Sequence, residues 1–466
     1  MRQVKNAVVA VFAFLPIVVL ADKTRQYEAV WESLDSRPVP QWWQDAKFGI
    51  FVHWGVYAVP GYAPTDDNQR YAGYSEWYQG RLIEGNKSFE DFNRQHYGKR
   101  PYANFAAEFK AEHFNAADWA KLFRRAGAKY AVLTSKHHDG FALWPSPESP
   151  YYNAVALGPG RDLAGEFTAA MKDAGLKSGF YFSLLEYANP LYPAKRDAKA
   201  DAAAWPIGDW ATRVNLPQLK ELVNRYRADI IWPDGEWDYT GEEHRSTDFL
   251  AWLFNASPVR ETVVVNDRWG SDCRSRHGGF YTTEYGSDEE KDQAGASRHP
   301  WEENRGIGRS YGLNRFETPD EYLSQDACVE LLVSAVARGG NLLLNVGPDA
   351  DGLIPPIMQD RLLAIGRWLD VNGEAIYATR RGTLKCARPR TYCTDGEKAR
   401  YVIDFNGDGQ PITVDGAAGT LRVELVGAAP KVDFSVDGTR LTIVPPRLAK
   451  SQAPCEHAWT YRVVGN

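Results

Sequence analysis

Six short apolar runs recur along the first three quarters of the chain, and helical patterns lie between them. The runs are GIFVHWG (49–55), YAVLTS (130–135), GFYFS (179–183), DIIWP (229–233), TVVVN (262–266) and NLLLNVG (341–347). They have strand length and are apolar on both faces, which suits parallel strands covered from both sides. Between them, Trp119, Leu122, Phe123 and Ala126, and then Leu219, Leu222, Val223 and Tyr226, keep the i, i+3, i+4, i+7 spacing of helices with one buried stripe. Repeated strand and helix units over roughly 350 residues argue for an α/β fold, and a (β/α)8-like barrel accommodates them best.

The pattern changes near residue 380. YVIDF, LRVELV and VDFSVDGTRLTIV alternate with period two, and Val432, Phe434 and Val436 face Leu441 and Ile443 across Asp437-Gly438, a hairpin signal. The expected organisation is a catalytic barrel over 22–379 and an antiparallel β-sandwich domain over 380–466. Residues 1–21 carry Arg2 and Lys5, an apolar run from Ala7 to Leu20 and small residues at Val19 and Ala21, the layout of a cleaved signal peptide that is too short to span a bilayer comfortably. The rest of the chain is then exported, with no membrane insertion after cleavage. A formal net charge of −6 gives no reason to expect nucleic acid or an anionic surface as partner. Five cysteines, without a CxxC pair, exclude a disulfide scaffold and disfavour a cysteine zinc site, although Cys386 and Cys393 could close a small loop.

Barrel enzymes place their chemistry at the C-terminal ends of the strands. Here GIFVHWG ends in His53 and Trp54, YAVLTS runs into His137 and His138, GFYFS carries Tyr181, DIIWP leads to Asp234, and TVVVN leads to Asp267, Arg268 and Trp269. Five polar ends beside aromatics, in a chain with 16 Trp and 24 Tyr, suit a site for a sugar, whose C–H faces stack on flat rings. Three readings compete. A metal hydrolase would use His53, His137, His138 and Asp234, but there is no HExxH helix, and adjacent His137 and His138 would face opposite ways in a strand. A noncatalytic sugar-binding module has no need of a buried carboxylate at a strand end. Glycoside hydrolysis requires two carboxyl groups. Asp234 is the first, and the second must come from a loop after a later strand, where Glu284, Glu302 and Glu303 are candidates. Glu302 leads because Trp301 beside it would raise its pKa towards that of a proton donor, with a solvated loop, as at EEKDQ (289–293), the bland alternative. Lys136, Asp139 and Asp267 are read as orienting or structural residues. Asn345, Gly347 and Asp349 are read as a strand-to-loop turn, Glu236 and Asp238 as support or loop residues, and KRDAKADAAAW (195–205) as a surface loop.

Taken together, WWQDAKFGIFVHWGVYAVPGY, YSEWY, AKYAVLTSKHHDGFALW, IIWPDGEW, VVVNDRWG and GGNLLLNVGPDADGLIPP resemble the α-L-fucosidases of glycoside hydrolase family 29 over about residues 39 to 378. The resemblance implies a retaining, exo-acting hydrolase of terminal α-L-fucose, acting on a fucosylated oligosaccharide or glycoconjugate without metal or organic cofactor. The compartment would be secreted or periplasmic, or lysosomal in an animal, and a homo-oligomer is compatible with it. It implies Asp234 as nucleophile and His53, Glu76, Trp77, His137, His138, Tyr181, Trp232 and Arg268 as fucose-binding residues. For the acid/base it points to Glu302, with Glu284 in reserve, because some members carry the carboxylate one place after the Glu284 position, where this chain has Tyr285. A fucose-binding protein without turnover is the alternative.

Overall fold

The computed structural model describes residues 26–65, 73–98, 100–193, 204–286, 288–419 and 421–465. The expected signal peptide and all but the end of the 195–205 segment lie outside the described residues.

Eight parallel strands form one sheet: β1 (Phe48–Val52), β2 (Tyr130–Lys136), β3 (Lys177–Ser183), β4 (Ile230–Asp234), β5 (Val264–Val265), β6 (Tyr281–Glu284), β7 (Trp301–Gly306) and β8 (Asn341–Val346). Their order, β5-β4-β3-β2-β1-β8-β7-β6, is that of a barrel cut between β5 and β6. A single parallel bridge, Asn266 with Phe280, closes the ring, supported by the Phe280 N–H to the Val265 carbonyl at 3.0 Å. Helices cover the outside, among them Ala116–Arg125, Leu163–Asp173, Leu216–Tyr226, Ser246–Asn255, Gln325–Ala337 and Pro356–Asn372. The first of these buries Trp119, Leu122 and Phe123, and the third buries Leu219, Leu222, Val223 and Tyr226, as their spacing predicts. No α-helix intervenes between β5 and β6, and residues 266–280 run there as an irregular loop.

Alternation along each strand separates two apolar populations. One set packs outward under the helices; the other, including Phe51, Tyr130, Val132, Tyr181, Ile230, Trp232, Val264, Phe280 and Leu343, fills the barrel. Ile230 and Trp232 share the inward face of β4, and two residues further on the same parity turns Asp234 inward at the strand's C-terminal end.

Two strands depart from expectation. β6 and β7 carry Glu284, Glu302 and Glu303, which the sequence reading put on loops. Their inward positions are polar, so neither shows an apolar run. EEKDQ is likewise not a loop but part of the helix Asp288–Ala296 between them.

After the barrel come β9 (Arg380–Arg381), β10 (Thr391–Asp395), β11 (Arg400–Asp404), β12 (Ile412–Asp415), β13 (Leu421–Leu425), β14 (Asp433–Asp437), β15 (Arg440–Val444) and β16 (Trp459–Gly465). They form two antiparallel sheets, β13-β16-β11-β10-β9 and β12-β15-β14, around Val402, Ile412, Val414, Leu441, Ile443, Tyr461 and Val463. The hairpin pairs Phe434 with Ile443 and Val436 with Leu441. Its two-residue turn is Gly438-Thr439, one residue later than the Asp437-Gly438 pair expected, because Asp437 pairs with Arg440. Only Gly438 of the two needs positive φ, at +61°.

The seam of the barrel gives a stability prediction. A Cβ on Gly279 would lie 1.8 Å from the Val265 carbonyl oxygen, so Gly279→Ala forces apart the bridge between the end of β5 and the segment leading into β6. Overpacking of this kind costs about 1–3 kcal/mol or more, and thermal unfolding of the variant should show a midpoint lower by several degrees.

Candidate active site

Asp234 stands at the end of β4, and Gly235 follows it at φ +76°, where a Cβ would meet Leu185 at 2.8 Å. This turn takes the chain away from the barrel and leaves the carboxylate at its mouth. Both oxygens are held: Arg268 Nη1 donates to Oδ1 at 2.6 Å, and the Tyr181 hydroxyl donates to Oδ2 at 2.9 Å. His138 Nε2 lies 3.9 Å from Oδ2 and Arg274 Nη2 lies 3.9 Å from Oδ1. Burial alone would raise this carboxyl's pKa. Arg268, His138 and Arg274 outweigh burial and hold it at about 2.

Arg268 is itself almost wholly buried, with its guanidinium 4.5 Å from the centre of the Trp232 ring. Its Nε donates to the Thr282 hydroxyl at 3.1 Å, and that hydroxyl donates to Asp267 at 2.8 Å. Its second amine, Nη2, donates to Glu284 Oε2 at 3.0 Å. Glu284 also accepts from the Tyr74 hydroxyl at 3.2 Å. One guanidinium therefore joins two carboxylates across a pocket of about 560 Å³ lined by His53, Glu76, Trp77, His137, Tyr181 and Trp232 among others.

The histidines are oriented from behind. Asn345 Oδ1 accepts from His53 Nδ1 at 2.7 Å, while its own amide donates to the Tyr311 carbonyl at 2.7 Å. Asn345 is thus a buried bracket for His53 on β8, where the sequence suggested a turn. The Ser183 hydroxyl donates to the Leu185 carbonyl, so it accepts from His138 Nδ1 at 2.6 Å and leaves Nε2 towards Asp234. His137 and His138 do not face opposite ways, because β2 ends at Lys136 and both lie in the turn beyond it. Their rings are 4.2 Å apart, and His137 stacks on Tyr181 at 5.3 Å. Behind this turn, Lys136 donates to Glu186 and Gln218, each at 2.9 Å, and Asp139 accepts from the Tyr102 hydroxyl at 2.7 Å. Burial raises the Glu76 carboxyl to about 7 and lowers the His53 imidazole to about 3.

Glu302 is not brought to the pocket. It lies near the start of β7, fully buried, accepting from the Tyr130 hydroxyl at the first residue of β2 and from Trp232 Nε1 at 3.0 Å. Trp232 lines the pocket and Glu302 does not. The sequence suggests Glu302 opposite Asp234; here it stands in the barrel interior, where burial raises its pKa to about 7. Glu303, one residue on, takes the other face, bonding the Gly286 N–H at 3.0 Å and the Thr283 hydroxyl. Glu284 alone of the three lines the pocket. Period-two alternation from Thr282 to Glu284 was the signal that could have identified it, once β6 was recognised as a strand.

Chemically, the pocket offers one carboxylate held ionised, a second carboxyl across a shared cation, and imidazole, indole and phenol groups around an apolar floor. This set suits a polyhydroxylated substrate with one apolar patch. The comparisons agree with it. The family model for α-L-fucosidase matches residues 15–374. The tissue α-L-fucosidase of Homo sapiens is 39% identical over 96% of this chain and 93% of its own length. The α-L-fucosidase of Branchiostoma floridae is 40% identical over 94% of this chain and 96% of its own. A crystal structure of Thermotoga maritima α-fucosidase in complex with a mechanism-based inhibitor aligns with a TM-score of 0.82 at 34% identity, covering 94% of this chain and 100% of that one.

The buried carboxyls set a pH dependence of stability. Asp234, with its folded pKa depressed, stabilises above its unfolded value of 3.8, and that contribution is lost as pH falls towards 2. Glu76 and Glu302, raised from 4.5 to about 7, act oppositely: between those values the unfolded chain has released protons that the folded protein retains, so stability falls as pH rises. The buried histidines act in the opposite sense over the same interval, because the unfolded chain binds protons that His53 does not, so the test is a difference between proteins: relative to the wild type, Glu302→Gln should lose less melting temperature, or gain more, between pH 5 and pH 7.5. An identical pH dependence of melting temperature in the wild type and Glu302→Gln would contradict the raised Glu302 pKa.

Proposed function

This chain belongs to the α-L-fucosidase family, glycoside hydrolase family 29, and from that premise we propose that it is a retaining, exo-acting enzyme that releases terminal α-L-fucose from fucosylated oligosaccharides or glycoconjugates. The observation that carries the proposal is the Asp234–Arg268–Glu284 bridge at the mouth of the barrel. Retaining hydrolysis needs one carboxylate ionised and aimed at the anomeric carbon, and a second able to exchange a proton with the departing oxygen. Asp234 is the nucleophile: its low pKa keeps it charged, and Tyr181 and Arg268 fix its orientation. Glu284 is the acid/base. It protonates the leaving oxygen as the Asp234 ester forms, then takes a proton from the water that hydrolyses that ester.

The remaining groups bind fucose. His53, Glu76, His137 and Arg268, which line the pocket, present donors and acceptors to the ring hydroxyls, while His138 stands behind that lining with Nε2 3.9 Å from Asp234. Trp77, Tyr181 and Trp232 provide aromatic surface, which suits the 6-methyl group that a deoxy sugar carries in place of a hydroxymethyl. Glu302 is a positioning residue: it fixes the Trp232 indole through Nε1 and never touches the substrate. The chain is exported through the leader at its N-terminus, consistent with the hydrolysis of extracytoplasmic glycans.

The assignment is tested by rescue kinetics. Glu284→Ala should lower turnover of a fucoside with a poor leaving group by about 10²- to 10⁴-fold, the typical contribution of general acid–base catalysis. With an activated aryl α-L-fucoside, whose departure needs no acid, azide should restore rate by attacking the Asp234 ester in place of water and releasing fucosyl azide. Glu302→Gln should slow the enzyme without azide rescue. Rescue of a Glu302 variant and not of Glu284→Ala would overturn the acid/base assignment.

A further inference from the structure

The fucose-facing residues account for only part of the pocket lining. The lining also includes Arg81, Trp237, Ser271 and Arg274, and about 560 Å³ lies within the range of about 300–1,000 Å³ typical of small-molecule sites. Ser271 and Arg274 come from the irregular loop that replaces a crossover helix between β5 and β6.

Arg274 is held at one end only. Its Nε donates to Glu236 Oε1 at 2.6 Å, and Glu236 is buried two residues after Asp234. Its Nη2 stands 3.9 Å from Asp234 Oδ1, too far for a hydrogen bond. Among the described residues neither terminal amine has a hydrogen-bond acceptor, and the side chain is 41% exposed. A planar guanidinium fixed at Nε keeps its other donors in a set direction, so a ligand that meets them loses little further entropy.

Charge decides what that ligand is. Arg268 is shared between Asp234 and Glu284, Arg274 is paired with Glu236, and Arg81 is paired with Glu84 at 2.8 Å. With no surplus of positive charge at the opening, a neutral acceptor such as a hydroxyl fits better than an anion. Trp237 stacks on Trp77 with centroids 5.7 Å apart and continues its aromatic wall, a surface suited to a pyranose face.

We infer that Arg274 is a specificity-determining residue of the leaving-group subsite: its free amines donate to hydroxyl oxygens of the neutral sugar to which fucose is attached, and Glu236 positions it. The inference deepens the fucosidase proposal and rests on it. An aryl leaving group has no hydroxyl to offer there, so the two substrate types report on Arg274 differently.

The test compares kcat/KM for an aryl α-L-fucoside and for a panel of fucosyl disaccharides differing in linkage, in the wild type, Arg274→Ala and Arg274→Lys. The lysine variant keeps the charge near Asp234 but loses the fork. Loss of hydrogen bonds from a charged donor should lower kcat/KM for at least one disaccharide about ten- to hundredfold further than for the aryl fucoside. The lysine variant should show the same separation with a smaller change on the aryl substrate. An equal fall on both substrate types in both variants, with the wild type active, overturns the inference and leaves Arg274 acting on Asp234 through charge alone. A wild type that cleaves neither substrate overturns the fucosidase proposal, and this inference with it.

Discussion

The buried guanidinium of Arg268 holds the site together. One amine bonds Asp234, the other bonds Glu284, and Nε bonds Thr282, which is held in turn by Asp267. Taking three charges out of water is costly unless each is paired, and here each pairs through a single side chain whose planar fork matches two carboxylates at once. The same contact sets the local chemistry: it helps to keep Asp234 ionised against the effect of burial. Removing the cation would leave the buried Asp234 carboxylate without its principal partner.

That arrangement depends on the barrel. Parallel strands deliver their C-terminal ends to one rim, and inward parity on β4 and β6 turns Asp234 and Glu284 towards the same opening. Beneath the rim, Trp232 has two duties. Its upper surface walls the pocket, while its indole N–H is anchored to Glu302 in the interior. The irregular link between β5 and β6 gives up a crossover helix, and the loop so formed carries Arg268 and Arg274 to the mouth.

The sequence made much of this legible, and the failures have physical causes. β1 to β5 and β8 are apolar on both faces because helices cover one side and the barrel interior the other, so they stand out as runs. β6 and β7 do not, because Thr282, Glu284, Glu302 and Asn304 point into a polar part of the barrel. Without a visible strand there is no parity to separate Glu284, Glu302 and Glu303, and both Trp301 beside Glu302 and Tyr285 after Glu284 then favour Glu302. Burial does raise the pKa of Glu302, in the barrel interior rather than in the pocket lining. Asn345 escaped for a related reason: an Asn before Gly-Pro resembles a turn former, and only strand pairing shows it facing His53. Glu236 was set aside as support beside Asp234, and its grip on Arg274 depends on a loop about forty residues later in the chain that no local pattern reveals.

The central claim is that Asp234 attacks the sugar while Arg268 holds it charged. The most direct measurement is trapping with a fluorinated fucosyl fluoride, whose glycosyl-enzyme ester hydrolyses slowly, followed by peptide mapping with mass spectrometry. The account predicts one label per active site, on Asp234 within IIWPDGEW. A label on Glu284, Glu236 or Glu302, or complete turnover of the reagent with inverted product and no ester, would contradict it.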